Sequence, residues 1–239
     1  MLCHDHRVIF VHVPKVAGQS VEQVFLKRLG LSWAPEERKK LLLCANDDPK
    51  RGPPRLAHLT AQEYIDLGYV DQQQFSDYFK FGFVRNPWAR LVSEYRFRKH
   101  PYFRDFKRFV FNHFPTPGWD DRYRHIMPQS DYLYDDQGQC LVDFIGRFEN
   151  LQADFEEVCR RLNWQPQKLP HANKSSTGKV ADRKTPRQWV TTMGKYLLRH
   201  RVERHTYPHY SAYYDDETLE YVNRYYAKDI ARFSYRFGE

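Results

Sequence analysis

Arg85-Asn86-Pro87-Trp88-Ala89-Arg90-Leu91-Val92-Ser93-Glu94-Tyr95 is the stretch of sequence that indicates the fold, together with Val13-Pro14-Lys15-Val16-Ala17-Gly18-Gln19-Ser20 further upstream. Each stretch follows a short apolar run and opens an amphipathic segment. A strand that leads through a loop into a helix N-terminus directs several free backbone N–H groups at one place, where a phosphate can bind. Two such sites in one sheet could hold a ligand that carries two phosphates.

Apolar patterns around these stretches predict alternating strands and helices. Segments 7–13, 78–84 and 143–148 are rich in β-branched and aromatic residues, which is typical of buried strands. Helical spacing of apolar residues follows the first and third segments. After the second, Asn86 can cap a helix and Pro87 suits its first turn. This alternation predicts a parallel sheet covered on both faces by helices, in a single domain spanning 1–239.

Other segments give more local signals. Thr60 to Glu63 has the sequence of a capping box, so a helix should begin there with His58 just before its N-terminus. Turn and loop residues predict an exposed loop at 46–55 and a polar loop at 169–185. Helical patterns cover 186–200 and 217–233, whereas the aromatic and basic segment 102–136 gives no assignment.

The charge balance suits an anionic ligand. The 239 residues include 38 Lys and Arg against 30 Asp and Glu, a formal net charge of +8. Such a charge attracts anions over long range, and it would suit a second anionic ligand as well. The basic residues are interleaved with acidic ones, without a tandem basic arm or a base-reading motif, so no nucleic-acid partner is predicted.

Cysteine usage and hydropathy indicate a chain without a membrane segment, in a reducing environment. The four cysteines are widely separated and form no Cys-x-x-Cys motif, so neither a zinc site nor a redox motif is predicted. No apolar run approaches the roughly 18 residues needed to cross a bilayer. The first predicted strand begins so early that we expect no signal peptide.

Both opening stretches resemble the sulfotransferases that use 3'-phosphoadenosine-5'-phosphosulfate (PAPS). The segment 13–20 is similar to their 5'-phosphosulfate loop, Pro-Lys-Thr-Ala-Gly-Thr-Ser, and 85–95 is similar to their 3'-phosphate element, Arg-Asn-Pro-Trp-x-Arg-Leu-x-Ser-x-Tyr. Segments 147–151, 169–175 and 226–233 are similar to later blocks of the carbohydrate sulfotransferase branch. The five blocks occur in the family's order and span nearly the whole chain.

The resemblance implies both a fold and a reaction. The fold would be a three-layer, P-loop-like α/β sulfotransferase domain with a central parallel sheet flanked by helices. The reaction would transfer a sulfuryl group from PAPS to an acceptor hydroxyl and release PAP, without a metal ion. The family branch implies a saccharide acceptor, and the 16% aromatic residues could stack on sugar faces, although a core needs them too.

By this resemblance, the upstream loop binds the 5'-phosphosulfate. Its predicted contacts are Pro14, Lys15, Ala17, Gly18, Gln19 and Ser20. Lys15 would stabilise the charge that develops on the leaving phosphate. Val16 and Gln19 replace the family's threonines, so binding would rely more on backbone N–H groups. The alternative is an ordinary strand-to-helix turn with an exposed Lys15.

Arg85 and Ser93, by the same resemblance, hold the 3'-phosphate. The planar guanidinium can pair with phosphate oxygens through two hydrogen bonds. Alternatively, Arg85 pairs with a carboxylate such as Glu94, and Ser93 is a neutral helix residue. Segment 173–179 resembles the loop that closes over the nucleotide, which adds Ser175 and Lys179 as cofactor contacts; a solvated loop is the alternative.

The acceptor hydroxyl must lose a proton, and histidine is the natural base near neutral pH. His58 matches the position of the catalytic histidine in similar carbohydrate sulfotransferases, so we predict it to be the base. His12, on the first strand beside the Lys15 loop, is the second candidate, either as base or as an acceptor contact.

No metal site is predicted. His4 and His6 lie next to each other near the start of the chain, where two histidines are usually only solvated. The paired acidic residues fall in turns or at helix starts, where Asp is favoured for backbone hydrogen bonds. These pairs, which we expect to be caps, are Asp120-Asp121, Asp135-Asp136 and Asp215-Asp216.

Two other function classes are considered. A non-catalytic module that binds PAP or a polyanion would explain the charge. A P-loop kinase would need a hydroxyl residue directly after Lys15 to bind Mg²⁺, and Val16 stands there. Carbohydrate sulfotransferases of animal cells are typically Golgi-lumenal with an N-terminal anchor. Without such an anchor, a bacterial-type cytoplasmic enzyme is expected, with the Golgi lumen as the alternative.

Overall fold

A four-stranded sheet forms the centre of the molecule. The computed structural model describes residues 1–100, 104–170 and 206–239. The strands lie side by side in chain order, as β1 (Leu2–Cys3), β2 (Val8–Val11), β3 (Phe79–Val84) and β4 (Phe144–Arg147). β3 runs parallel to both β2 and β4, which confirms the predicted parallel sheet. β1 is an antiparallel edge strand that was not predicted, because two residues leave no periodic pattern.

Aromatic residues fill the middle of the sheet. Phe10 pairs with Phe81 across β2 and β3, and Phe81 pairs with Phe144 across β3 and β4. The rings of Phe10 and Phe81 are stacked, with centroids 4.9 Å apart. Every residue of β2 is buried, as expected for a strand covered on both faces. A Cβ atom at Gly82 would lie 2.7 Å from Leu133 Cδ2, so a larger residue would have to displace the Leu133 side chain.

The described helices alternate with the strands along the chain. They are α1 (Gly18–Arg28), α2 (Pro35–Arg38), α3 (Ala61–Asp66), α4 (Gln72–Asp77), α5 (Pro87–Phe97), α6 (Phe106–Asn112), α7 (Asp121–Ile126), α8 (Ser130–Leu133), α9 (Leu151–Arg161), α10 (Asp216–Tyr225) and α11 (Ala227–Phe233). In the described part of the chain, no helix is long and apolar enough to cross a membrane.

Predicted helix starts are confirmed where the cap is local in sequence. Thr60 and Glu63 form both hydrogen bonds of the capping box at α3. The Asn86 side chain accepts a hydrogen bond of 3.1 Å from the Ala89 N–H, and Pro87 begins α5. The four cysteines are free thiols, as predicted.

One predicted helix was wrong in its extent, and other segments show detail that was not predicted. The predicted helix 217–233 is two helices that meet at Tyr226, whose hydroxyl donates to the Ile126 carbonyl. The segment 102–136 contains three short helices, α6 to α8, and the loop at 46–55 includes the 3-10 turn Pro49–Arg51. The predicted helix 186–200 lies outside the described residues, as does all but the start of the predicted loop 169–185.

Parallel strands place their carboxyl ends at the same edge of a sheet, where ligands bind in open α/β folds. The Lys15 loop follows β2, and Arg85 follows β3. The two meet directly, because Arg85 Nη1 donates a hydrogen bond of 3.2 Å to the Lys15 carbonyl. The topology therefore brings the two predicted phosphate sites together.

Candidate active site

The Lys15 loop has an unusual backbone. Lys15 has a φ of 73° and Ala17 a φ of 64°, although neither is a glycine. Each such conformation costs about 1–3 kcal/mol and persists only where surrounding contacts hold it. Ala17 is the N-cap of α1 and has no side chain to cap the helix. No side chain caps the first turn of α1, which is compatible with the predicted anion site.

The ring of His12 leaves no room for a side chain at position 18. A Cβ atom at Gly18 would lie 2.1 Å from Nε2 of His12. The imidazole of His12 therefore packs against the start of α1, and any larger residue would displace it. We expected Gly18 to admit the phosphate, but its close contact with His12 already accounts for the missing side chain.

His12 is held as part of the scaffold. Its Nδ1 lies 2.5 Å from Oε1 of Glu22, and both side chains are buried. Burial raises the pKa of the Glu22 carboxyl, but the charge and hydrogen bond of His12 outweigh it, so the net pKa is lowered. Nδ1 of His12 is thus paired with Glu22, and its Nε2 packs against Gly18. This geometry favours a structural role over the predicted roles as base or acceptor contact.

Lys15 is half-buried, unlike the exposed lysine of an ordinary turn. Its Nζ lies 3.7 Å from the centroid of the Phe97 ring. Burial lowers the pKa of Lys15 to about 8; the Glu94 carboxylate opposes this shift, and the Arg85 and Arg98 charges add to it. The ammonium is therefore still mainly protonated at neutral pH, as its predicted role requires.

Arg85 is half-buried beside an aromatic ring. Its guanidinium stacks 4.1 Å from the centroid of the Phe148 ring, and burial lowers its pKa to about 10. Its Nε is buried without a hydrogen-bond partner among the described residues. The alternative pairing of Arg85 with Glu94 is wrong, because Glu94 accepts from Arg98 and His125 instead. An unpaired buried donor is costly, so a ligand anion would stabilise it.

Ser93, Ser175 and Lys179 gain less support. Ser93 is half-buried on α5, and no described residue forms a hydrogen bond with its side chain. Ser175 and Lys179 lie outside the described residues. Their proposed contacts with the nucleotide stay predictions.

His58 lies in the 3-10 turn Leu56–His58 just before α3, as predicted, and is 6% exposed. Its Nδ1 is 3.3 Å from the His12 carbonyl oxygen. Because a carbonyl only accepts, Nδ1 carries the proton and Nε2 has the lone pair. Burial and the neighbouring His12 and His125 lower the pKa of His58 well below its ordinary value. His58 is therefore a neutral imidazole near pH 7, with Nε2 free to accept a proton.

A second histidine, which the sequence did not single out, lies beside His58. The rings of His58 and His125 are 5.2 Å apart between centroids, and Nδ1 of His125 lies 2.7 Å from Oε2 of Glu94. Oε1 of Glu94 accepts a 2.7 Å hydrogen bond from Arg98. Burial raises the pKa of Glu94, but these two partners outweigh it, so the net pKa is lowered and Glu94 is an anion.

Asp121 belongs to this cluster and is not a helix cap. Asp120 alone caps α7, by accepting from the Arg122 N–H, whereas Asp121 accepts a 2.7 Å hydrogen bond from Arg98. Asp121 and His125 are four residues apart, so both face the same side of α7. That spacing was the only sequence signal for the cluster.

Two buried arginines fix α7 in place. Nη2 of Arg90, on α5, donates to the backbone carbonyls of His125 and Met127 at 3.0 and 2.6 Å. Arg124, on α7, forms two hydrogen bonds with the carboxylate of Glu63 on α3. The cluster is thus positioned by side chains that reach across the core.

A cavity of about 640 Å³ opens beside Glu94 and Arg98. Its size is within the range of small-ligand sites. Among the described residues that line it, three are arginines, namely Arg98, Arg104 and Arg122, and Glu94 is the only carboxylate. The other lining residues include His100, His113, Phe109 and Phe114. Burial lowers the pKa of His100 to about 4, so the arginines carry the positive charge.

Comparisons with known proteins extend over this whole arrangement. The profile described as "Sulfotransferase family" matches residues 1–236. Human carbohydrate sulfotransferase 10 is 30% identical over 165 residues, which is 68% of this chain and 42% of the human protein. The same-named protein of Pongo abelii is 29% identical over 165 residues. No solved structure matches significantly.

An uncharacterised protein of Archaeoglobus fulgidus is also similar. It is 32% identical over 101 residues, which is 39% of this chain and 74% of the archaeal protein. By contrast, the match covers only 42% of the length of the human and Pongo abelii carbohydrate sulfotransferases, so this chain spans less than half of them.

Proposed function

The chain belongs to the sulfotransferase family, and on that premise we propose that it transfers a sulfuryl group from PAPS to a hydroxyl of a saccharide. One observation carries the proposal: the Lys15 loop and Arg85 are joined by a hydrogen bond at the carboxyl edge of the sheet. A nucleotide with phosphates at its two ends would contact both at once.

PAPS fits the residues that are present. The uncapped first turn of α1 offers backbone N–H groups to the 5'-phosphosulfate, with the Ser20 hydroxyl close by in the same turn. Arg85, whose Nε has no described partner, offers its fork to the 3'-phosphate, with Ser93 as a second donor. Ser175 and Lys179 would complete the site in the segment outside the described residues.

His58 and Lys15 divide the chemistry between them. The acceptor oxygen forms a bond to sulfur while the bond from sulfur to the bridging phosphate oxygen breaks, and PAP leaves with the electron pair. Nε2 of His58 takes the hydroxyl proton. The Lys15 ammonium stabilises the negative charge that grows on the phosphate oxygen. The remaining rate enhancement comes from holding the two substrates in line.

The cavity beside Glu94 is our proposed acceptor site. Phe109 and Phe114 can stack on sugar rings, and the arginines can pair with a carboxylate or sulfate on the saccharide. An acidic saccharide is therefore the favoured acceptor class. This choice also agrees with the net charge of +8.

The test is incubation with radiolabelled PAPS and matched neutral and acidic oligosaccharides. We expect label transfer to a saccharide, with acidic acceptors preferred. The matched control is Arg122→Gln, which should weaken that preference without changing PAP affinity, because Arg122 lines only the acceptor cavity. Formation of PAP without transfer of label to any saccharide of the panel would reject a saccharide as the acceptor.

The second candidate is a non-catalytic module that binds polyanions, which the arginine-lined cavity also favours. The same assay separates the two, because such a module would bind PAP without ever forming it from PAPS.

A cytoplasmic location stays a prediction, favoured by the four free cysteines.

A further inference from the structure

His58, Asp121 and His125 form a cluster of potential metal ligands. One ring nitrogen of each histidine and one carboxylate oxygen of Asp121 all lie within 4.8 Å of one another. Nε2 of His125 is 3.7 Å from Oδ1 of Asp121, too far for a hydrogen bond. The three residues come from the 3-10 turn before α3 and from α7.

The partners of the two histidines favour a metal ion. Nδ1 of His58 forms a hydrogen bond with the His12 carbonyl, and Nδ1 of His125 forms one with the Glu94 carboxylate. Both partners accept, so in the neutral rings both Nδ1 atoms carry the proton and both Nε2 atoms have lone pairs. Metal-binding histidines almost always have this outer contact to a carboxylate or a backbone carbonyl.

Two atoms of the cluster lack a hydrogen-bond partner among the described residues. Nε2 of His125 and Oδ1 of Asp121 are buried without a hydrogen bond among the described residues, and the His125 side chain is only 6% exposed. Leaving buried polar atoms without a hydrogen bond destabilises the fold. A cation between them would remove that destabilisation.

We propose that His58, Asp121 and His125 bind a divalent transition metal ion, with Zn²⁺ the best match. Zinc bonds to nitrogen and oxygen of about 2.0–2.2 Å place tetrahedral ligand atoms about 3.3 Å apart. The ligand atoms, at most 4.8 Å apart, must move closer by up to about 1.5 Å to reach that spacing. The Asp121 side chain, 21% exposed, can turn to allow this. Three protein ligands leave the fourth position open.

The surrounding charges limit the affinity. Nη2 of Arg98 donates a hydrogen bond of 2.7 Å to Oδ2 of Asp121, and Nε of Arg55 lies 3.5 Å from Oδ1 of Asp121. These guanidinium groups oppose a further cation, and Arg55 must move to admit one. We therefore expect reversible binding, weaker than that of a structural zinc site.

Metal binding would inhibit the enzyme. The ion would occupy the Nε2 lone pair of His58, which the proposed reaction uses to accept the hydroxyl proton. This consequence rests on the proposed function, whereas metal binding itself does not. The site would then be an inhibitory one, emptied by chelators.

Calorimetric titration of Zn²⁺ into the full chain tests the site, with Co²⁺ absorption as the spectroscopic readout of ligand geometry. We expect one ion per chain with tetrahedral Co²⁺ bands. Asp121→Asn and His125→Ala should each weaken binding by tenfold or more, and Glu94→Gln by about tenfold through the lost outer contact. His4→Ala is the matched control and should bind like wild type.

Equal affinity in wild type and Asp121→Asn would overturn the site; this variant preserves shape, so it decides the matter even if His125→Ala fails to fold. A His125 ring that keeps both N–H protons in the presence of Zn²⁺ would overturn it too. One-site binding with undiminished sulfuryl transfer would confirm the metal site and reject His58 as the base.

Discussion

The donor side of the site, at the Lys15 loop and Arg85, contrasts with the acceptor side, at His58 and His125. The donor side, where the sulfuryl donor PAPS would bind, consists of backbone and side chains that directly follow parallel strands. Its helix α1 has no side-chain cap, and Nε of Arg85 has no hydrogen-bond partner among the described residues. The acceptor side consists of side chains from short helices, joined by buried hydrogen bonds. The donor side is set by strand topology, whereas the acceptor side depends on packing between distant segments.

Loss of His58 should have the largest effect, and on the acceptor side alone. We expect His58→Ala to lower turnover by about 10²-fold or more, because a general base contributes about that much. Affinity for PAP should barely change, since His58 acts on the hydroxyl and not on the nucleotide. Steady-state kinetics and PAP titration measure the two effects separately. Near-normal turnover would transfer the role to another residue, with His12 and His125 next to be tested.

Gly18→Ala should destabilise the fold where the two sides touch. The added Cβ would lie 2.1 Å from His12 Nε2, and the His12–Glu22 hydrogen bond restrains the ring. Overpacking of this kind costs about 1–3 kcal/mol, which in a chain of this size lowers the melting temperature by about 2–4 °C per kcal/mol.

The double variant Gly18→Ala/His12→Ala sharpens that test. Removing the ring removes the clash, so the double variant should lose less stability than the two single losses added together. Additive losses, measured by thermal unfolding, would show that His12 does not restrict position 18.

The pH profile should report on Lys15. Its pKa of about 8 in the free protein means that the charged form is lost as the pH rises through that value, so kcat/KM for PAPS should fall above it. Lys15→Arg should keep its charge and move this fall to higher pH, at the cost of a lower rate. A profile in wild type that stays flat well above pH 8 would contradict the proposed role of the ammonium.

Chelation should have the smallest effect. Activity should survive EDTA, because the proposed reaction gives Lys15 and the N-terminus of α1 the role that Mg²⁺ has in kinases. If trace Zn²⁺ occupies the His58–Asp121–His125 cluster, EDTA should raise the rate. A tenfold loss that Mg²⁺ restores would contradict this account of the donor side.

The same contrast explains what the sequence could predict. Lys15, Arg85 and the Asn86 cap lie in short motifs whose structure depends on neighbouring residues, so their positions were predicted correctly. His58 was located through its place before a capping box. By contrast, Asp121 was taken for a cap, and His125 was not considered.

The reason for these failures is physical. The surroundings of His125 depend on Arg90, which is 35 residues away in the chain, and on Glu94, which is 31 away. The role of Asp121 depends on Arg98, 23 residues away. Contacts at such distances leave no periodic signal in one sequence. The burial of His12 against Gly18 is likewise visible only once α1 is packed on the sheet.

The central claim is that the donor side has two phosphate sites, with Arg85 at the 3'-phosphate. Calorimetric titration of PAP and AMP into wild type, Arg85→Ala and Arg85→Lys tests it most directly, because only the 3'-phosphate distinguishes the two nucleotides. A charged hydrogen bond contributes about 1.5–3 kcal/mol, so wild type should bind PAP at least tenfold more tightly than AMP. Arg85→Ala should lose most of that preference and keep its AMP affinity, and Arg85→Lys should recover only part of it. Equal affinities for PAP and AMP in wild type would contradict the claim.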